Sequence, residues 1–172
     1  MNRRGFSLTL VALAVSACAP TGPVTDQAGV YKIRSSDTAD IQYRMLDSVN
    51  SLRAGVGAQP LTLNAQLTAA AESHARDMSR QNRAWPFGSD GSSPYERVNR
   101  AGYTGYLVGE VYAQTFETEL EVLAAWVQDG AWGDEILNSQ ANEMGFAWTQ
   151  DPSGLIWWDI ILGDNSLVQP SI

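Results

Sequence analysis

The sequence predicts an α+β fold in which helices cover both faces of a β-sheet. The first half of the chain contains segments whose apolar residues recur every three or four positions, which is typical of amphipathic helices. The last third contains two segments in which the side chains alternate between two faces, as in β-strands. The second of these is apolar on nearly both faces, so its sheet needs a covering layer on each side.

The first residues are typical of an export signal. Arg3 and Arg4 precede an apolar run over 6–15 that is too short to span a bilayer. The four residues that end at Cys18, VSAC, are typical of the lipobox of bacterial lipoproteins. We therefore expect residues 1–17 to be a signal peptide and Cys18 to be acylated after cleavage. A plain secretory signal is the alternative, and the export route stays open because the two arginines also loosely fit a twin-arginine signal.

Residues 18–36 are predicted to form a lipidated cysteine and a tether, and residues 37–172 a single folded domain. Cys18 is the only cysteine, so we expect no disulfide in the domain. The formal net charge is −8 for the whole chain, and loss of the signal with its two arginines makes it about −10. Such a surface repels nucleic acid and anionic headgroups, so the lipid on Cys18 is the expected link to a membrane.

Two amphipathic helices are predicted before residue 81. The first covers 38–52 and ends near a Gly-Val-Gly sequence, and the second covers 65–80 after Asn64, a residue favoured at helix N-caps. The apolar stripe of the first helix contains Ile41, Met45, Val49 and Leu52. The corresponding face of the second contains Leu67, Ala71, His74 and Met78. His74 is the only histidine, and on this face we expect a packed, hydrogen-bonded core residue rather than a metal ligand.

A turn and a short helix are predicted after the second amphipathic helix. Ser89-Asp90-Gly91 favours a turn, because aspartate bonds to its own backbone and glycine accepts a positive φ. Ser93 followed by Pro94 favours the start of a helix. Gly102 can adopt the left-handed conformation that ends one.

Glu110 is the most informative residue of the next segment, a strand predicted over 108–115. Val108, Glu110 and Tyr112 are expected on one face of this strand. A carboxylate among apolar neighbours is costly unless it is paired. We therefore expect Glu110 to be neutralised by Arg97 or Arg100.

The C-terminal third is predicted to contain two more helices and two strands. The helices cover 118–127 and 131–137 and are separated at Gly130. The strands cover 143–149 and 155–162 and are joined by a turn at Asp151–Gly154. The residues expected in the core of the longer helix are Leu120, Leu123, Trp126 and Val127. The two faces of the last strand are Ile156, Trp158, Ile160 and Leu162, and Leu155, Trp157, Asp159 and Ile161.

The order of several short motifs resembles that of the CAP superfamily, whose domains are also called SCP-like. These motifs are SDG-SSP-x-x-R-x-x-x-AGY, then Gly109–Glu110, and then the tryptophan of a later helix. The resemblance extends from roughly Ile41 to Gly163, and the lipobox points to a bacterial lipoprotein form. It implies an α–β–α sandwich with an antiparallel sheet covered by helices on both faces.

Many CAP domains hold a divalent metal such as zinc with two histidines and two acids. At the matching positions of this chain the acids are Glu110 and Asp129, whereas Pro86 and Trp132 stand where the histidines would be. His74 lies too early in the chain to replace either histidine. Because two carboxylates do not make a cage, the resemblance implies that the metal site is lost, and we expect neither a metal nor another cofactor.

The same substitutions bear on catalysis. Without a nucleophile beside a histidine, acyl transfer is excluded. A carboxylate pair, Glu110 with Asp129, can still hydrolyse a glycan or peptide of the cell wall. The alternative is that Glu110 only satisfies donors inside the fold.

Trp85 flanks the first lost histidine position, and Trp132 occupies the second. They either fill a vestigial cavity or form an aromatic platform for a sugar or an acyl chain. We expect a non-catalytic domain in the bacterial envelope, outside the cytoplasm, that binds a small hydrophobic or glycan ligand or an envelope partner. A hydrolase and a purely structural envelope protein are the two alternatives.

Overall fold

A four-stranded sheet lies between two helical layers in the computed structural model, which describes residues 31–166. The helices are α1 (Thr38–Gly55), α2 (Ala65–Gln81), α3 (Pro94–Arg100), α4 (Glu119–Gln128) and α5 (Gly130–Ile136). The strands are β1 (Thr62–Leu63), β2 (Tyr106–Gln114), β3 (Glu143–Gln150) and β4 (Ile156–Asp164). The predicted α+β class and the two-sided cover of the sheet are confirmed.

The strand order in the sheet is β1-β3-β4-β2. The three long strands pair antiparallel, as predicted. The two-residue β1, which follows Pro60, adds one short parallel pair with β3. A parallel pair needs a long crossover, and here everything from α2 to α5 separates the two strands.

The two faces of the sheet have separate apolar clusters. Phe146 and Trp158 stack on the face toward α1 and α4, with ring centres 5.7 Å apart. Ile161 and Leu67 belong to a cluster on the face toward α2. Gly145 allows α2 to approach β3 closely, since a Cβ there would lie 2.1 Å from the backbone of Leu67. The predicted two-faced burial of the last strand is therefore confirmed.

The predicted caps are also confirmed. The Asn64 side chain accepts hydrogen bonds from the first turn of α2. Ser93 and Glu96 form a capping box at α3, with Pro94 in its first turn. The backbone of Gly102 has a φ of +82° just after α3.

Two predicted core leucines are wrong. Leu52 of α1 and Leu120 of α4 are 37% and 47% exposed, whereas Arg53 and Val122 are fully buried. The two leucines line a shallow apolar groove of about 580 Å³ between α1 and α4. The periodicity identified the right helices, but each leucine lies at the outer edge of the contact between them.

A bulge in β2 corrects one further prediction. The register between β2 and β4 shifts between Leu107 and Gly109. Val108 therefore packs against the cluster toward α1 and α4, whereas Tyr112 packs on the α2 side against a smaller cluster of Ala75, Met78 and Trp157. Val108 does not share a face with Glu110 and Tyr112, as the strict alternation had predicted.

The first described residues already contact the domain. Tyr31 and Ile33, which the sequence assigned to the tether, pack against the core. Gln150 fixes them, since its side chain accepts a hydrogen bond from the Ile33 amide at 3.1 Å and donates one to the Tyr31 carbonyl at 2.8 Å. Cys18 and the predicted signal over 1–17 lie outside the described residues. Within residues 31–166, no helix has the length and apolar character needed to cross a membrane.

Candidate functional site

Four ionisable side chains meet between α2, α3 and the sheet, and we call them the buried cluster. They come from four different elements: His74 from α2, Arg97 from α3, Glu110 from β2 and Asp159 from β4. The exposed fractions of the His74, Arg97 and Glu110 side chains are 0%, 3% and 4%. Asp159 is fully buried.

Arg97 neutralises Glu110. Its Nη2 donates to both carboxylate oxygens, at 2.8 and 2.6 Å, and its Nη1 donates to the carbonyl of Ser92 at 3.1 Å. Of the two arginines predicted as partners, Arg97 is the right one, because Arg100 pairs with the exposed Asp90. Burial raises the pKa of Glu110, while the positive charge of Arg97 acts in the opposite direction.

His74 faces Glu110 from α2, in the helical layer that covers this face of the sheet. Its Nε2 lies 3.9 Å from Glu110 Oε2, and its ring meets the ring of Tyr112 edge-on at 5.7 Å. The predicted packing of His74 is confirmed, but the predicted hydrogen bond is not, since neither ring nitrogen has a partner within the described residues. Burial, and then the charge of Arg97, lower the pKa of His74 to about 3, so the ring is neutral at pH 7.

Asp159 is the member of the buried cluster that the sequence analysis did not single out. It lies opposite Tyr112 in the β2–β4 register, and neither of its carboxylate oxygens has a hydrogen-bond partner within residues 31–166. Burial, and then the negative charge of Glu110, raise the pKa of Asp159 well above its ordinary value. The available signal was an acidic residue in an otherwise apolar strand, which is the argument that identified Glu110.

Asp129, the other acid carried over from the resemblance, lies elsewhere. It is exposed and caps α5, where its Oδ1 accepts hydrogen bonds from the amides of Ala131 and Trp132 at 3.2 and 3.3 Å. Asp129 is thus exposed and bound to the backbone of α5, whereas Glu110 is buried and bound to Arg97. The acid that shares the buried cluster with Glu110 is Asp159.

Trp132 lies within reach of the buried cluster. Its side chain is 38% exposed, and its ring centre is 6.2 Å from that of Tyr112, which in turn contacts His74. A chain of aromatic contacts thus runs from the surface to the buried cluster. Trp132 thus reaches solvent at a position where the resemblance implies a histidine.

Trp85 reaches the same site from the loop after α2. Its backbone lies beside His74, without completing a hydrogen bond, and raises the pKa of that ring slightly against the larger effects of burial and charge. Its indole packs edge-on against Phe87 at 5.4 Å and donates to Gln81 Oε1 at 3.0 Å. Pro86, between the two aromatic residues, is half-buried.

The metal implied by the resemblance does not fit its usual position in this chain. A proline side chain has no ligand atom, and an indole nitrogen only donates a hydrogen bond. Pro86 and Trp132 therefore offer nothing to a cation. His74 lies too early in the chain to match either histidine, but the fold brings its Nε2 to 3.9 Å from Glu110 Oε2.

Comparison with known proteins places this fold among related domains. Residues 46–158 match the family model described as CAP, the cysteine-rich secretory protein family. The chain is 24% identical over 128 residues to the uncharacterized protein YkwD of Bacillus subtilis, a match that covers 74% of this chain and 49% of that protein. The chain thus spans about half the length of this curated relative.

Two solved structures show the same fold at low sequence identity. An outer surface protein of Borrelia burgdorferi superposes with a TM-score of 0.68 and 16% identity, covering 78% of this chain and 98% of that one. An extracellular protein of Bacillus anthracis that contains an SCP domain gives a TM-score of 0.67 and 16% identity, covering 76% of this chain and 44% of that one.

Proposed function

We propose a binding role for this chain from the premise that it belongs to the CAP family, the cysteine-rich secretory proteins. The proposed function is that of a non-catalytic domain in the bacterial envelope, outside the cytoplasm, held at a membrane by a lipid on Cys18. The lipobox supports the anchor, and two structural relatives are described as extracellular or outer-surface proteins. The fold alone leaves the activity open.

The burial of Glu110 carries the non-catalytic part of the proposal. A general acid or base must come within hydrogen-bond distance of its substrate. Only 4% of the Glu110 side chain is exposed, and Arg97 holds both of its oxygens. Asp159 is fully buried, and Asp129 is exposed and caps α5. The two acids of the buried cluster are therefore not accessible to a bound polymer.

Two partly exposed aromatic pairs, Trp132 with Tyr112 and Phe87 with Trp85, are the proposed binding surface. An indole offers an apolar face that stacks on a sugar ring or an acyl chain, and its edge donates a hydrogen bond. Trp132 is 38% exposed beside Tyr112, and Phe87 is 43% exposed beside Trp85. The acidic surface of the chain disfavours a strongly anionic ligand, so a neutral glycan fragment or a small apolar molecule fits this surface best.

Calorimetric titration with a neutral chitooligosaccharide, and separately with a detergent-solubilised monoacylglycerol, tests this proposal. We expect one of the two probes to bind, and Trp132→Ala to weaken that binding at least tenfold. Tyr106→Ala is the matched control, because Tyr106 is a 58% exposed aromatic residue of β2 outside these aromatic contacts. Binding that survives Trp132→Ala unchanged would place the ligand elsewhere.

Release of reducing sugar from peptidoglycan separates this role from the hydrolase alternative. We expect no release above background by the wild type. Turnover that is lost in a folded Glu110→Gln variant would replace the proposal with a hydrolase. Mass spectrometry of the mature N-terminus tests the anchor: we expect an acylated Cys18, and Cys18→Ser should accumulate precursor or release soluble protein.

A further inference from the structure

One carboxyl group of the buried cluster has no partner. Arg97 and Glu110 neutralise each other at hydrogen-bond distance. Asp159 is fully buried, and its carboxyl group has no hydrogen-bond partner within residues 31–166. An unpaired buried carboxylate is among the most costly groups in a protein interior.

Hydrogen bonding is also incomplete there. Neither nitrogen of His74 and neither carboxylate oxygen of Asp159 has a partner among the described residues. Buried polar atoms are rarely left in this state, and a group of them facing one another indicates a missing ligand or ion. His74, Glu110 and Asp159 therefore place ligand atoms with free lone pairs around one point between α2, β2 and β4.

We propose that His74, Glu110 and Asp159 bind a divalent first-row transition metal ion, zinc being the first candidate. One ligand atom from each of the three side chains can be chosen so that all lie within 4.8 Å of one another. This ligand set shares only Glu110 with the set implied by the resemblance, and it uses neither Pro86 nor Trp132. It is independent of the ligand proposed to bind at Trp132.

A metal ion gives a partner to more of the unpaired atoms of the buried cluster than a proton does. A single proton shared between His74 and Asp159 cancels the charge but makes only one hydrogen bond. A divalent ion offsets the two carboxylate charges of Glu110 and Asp159, and it takes one nitrogen and two oxygens as ligands. Arg97 does not block it, because each oxygen of Glu110 has two lone pairs. The imidazole ligand favours zinc or a neighbouring transition metal over calcium and magnesium.

The expected role of the ion is structural. Three protein ligands leave one position of a tetrahedral zinc ion for a water molecule, and no substrate reaches that position because all three ligands are closed to solvent. The ion would join a helix to two neighbouring strands, and its entry requires movement of covering side chains such as Tyr112 and Trp132. Binding is therefore expected to be slow, and zinc should be added during refolding as well as to the folded protein.

The test begins with the full mature chain, stripped with a chelator and refolded with or without zinc. Native mass spectrometry should show one zinc ion per chain, and the melting temperature should rise with zinc but not with calcium or magnesium. Asp159→Asn and His74→Gln should each weaken zinc binding by about tenfold or more in competition with a chromophoric chelator. Glu72→Gln is the control, since Glu72 is exposed on the outer side of α2.

Two results overturn the inference. One is a wild-type chain that remains metal-free after refolding in zinc, with an unchanged melting temperature. The other is zinc held equally well by Asp159→Asn and His74→Gln, which would place the ion elsewhere. If a variant does not fold, the absorption spectrum of the cobalt-substituted wild type decides instead. Cobalt bound by one imidazole and two carboxylates has a different spectrum from the hydrated cobalt ion. A spectrum identical to that of the hydrated ion also rejects the site.

Discussion

Arg97 and Glu110 lie 13 residues apart on α3 and β2, and they form an ion pair that is almost closed to solvent. The side chains are 3% and 4% exposed, and a single guanidinium nitrogen reaches both carboxylate oxygens. The pair therefore fastens the short helix to the sheet at the site itself. Such a buried pair adds little to the free energy of unfolding as a whole. Removal of one partner is destabilising, because it leaves the other partner charged and buried.

Arg97→Ala should destabilise the domain by about 3–5 kcal/mol, because Glu110 and Asp159 then share one buried site without a cation. Urea unfolding followed by circular dichroism measures the change. Arg100→Ala is the control, since Arg100 pairs with Asp90 at the surface, and it should have little effect. Equal effects of the two substitutions would show that the buried pair has no special importance.

Trp126→Ala should cost about 3–5 kcal/mol, because the side chain is fully buried between α4 and the sheet and its loss leaves a large cavity. Thermal and urea unfolding measure the loss. Trp132→Ala is the matched control, as the same side chain is 38% exposed there and should cost much less. An unchanged melting temperature for Trp126→Ala would contradict the packing of α4.

Local patterns in the sequence were sufficient to predict most of the helices and strands and one ion pair. Helix periodicity, caps and strand alternation predicted α2, β3 and β4 closely, since each depends on neighbours along the chain. Arg97 was predicted as a partner of Glu110 because a buried carboxylate requires a cation. The exposure of Leu52 and Leu120 was not predictable in this way, because it depends on how α1 and α4 lie against each other.

The buried cluster itself could not be assembled from the sequence. His74 and Glu110 are far apart along the chain, and matching to family positions suggested that His74 was irrelevant to the site. The fold packs α2 across β3 and β4, which brings His74 toward Glu110 of β2 and Asp159 of β4. Asp159 was visible as an acid in an apolar strand, but only the register of β4 beside β2 shows which neighbours it meets.

Asp77 should make the loop that carries Trp85 sensitive to acid. Burial opposes its ionisation, but hydrogen bonds from Arg80 and Ser89 outweigh this effect and hold the pKa of Asp77 below its ordinary value. A carboxyl group whose pKa is lower in the folded state adds stability above the pKa of the unfolded state, about 3.9, and loses it as the pH falls through the folded value.

Asp77→Asn should therefore lower the melting temperature above about pH 5, and the difference from the wild type should shrink below about pH 4. Melting curves between about pH 7 and pH 3 provide the measurement. Asp47→Asn, at an exposed position of α1, is the control and should show no such trend. A difference that stays constant with pH would mean that the charge of Asp77 does not hold the loop through Ser89.

Arg53 is a buried cation that bonds to backbone carbonyls instead of a carboxylate. Its guanidinium donates to four of them at 2.8–3.0 Å. The acceptors are the carbonyls of Gln59, Ile136, Asn138 and Ala141. These contacts join the end of α1 to the segment between α5 and β3, and only the planar fork of arginine can reach all of the acceptors at once.

Arg53→Lys should destabilise the domain by roughly 3 kcal/mol, because a lysine ammonium keeps the charge but leaves some of the buried carbonyls without a donor. Urea unfolding gives the free energy, and hydrogen exchange of the amides in residues 137–142 shows where the structure loosens. Arg76→Lys is the matched control, since Arg76 is half exposed in a helical pair with Glu72 and should change stability by less than about 0.5 kcal/mol. If lysine at position 53 preserves both the stability and the exchange protection, then the positive charge alone accounts for the contribution of Arg53, and the geometry of the guanidinium is not required.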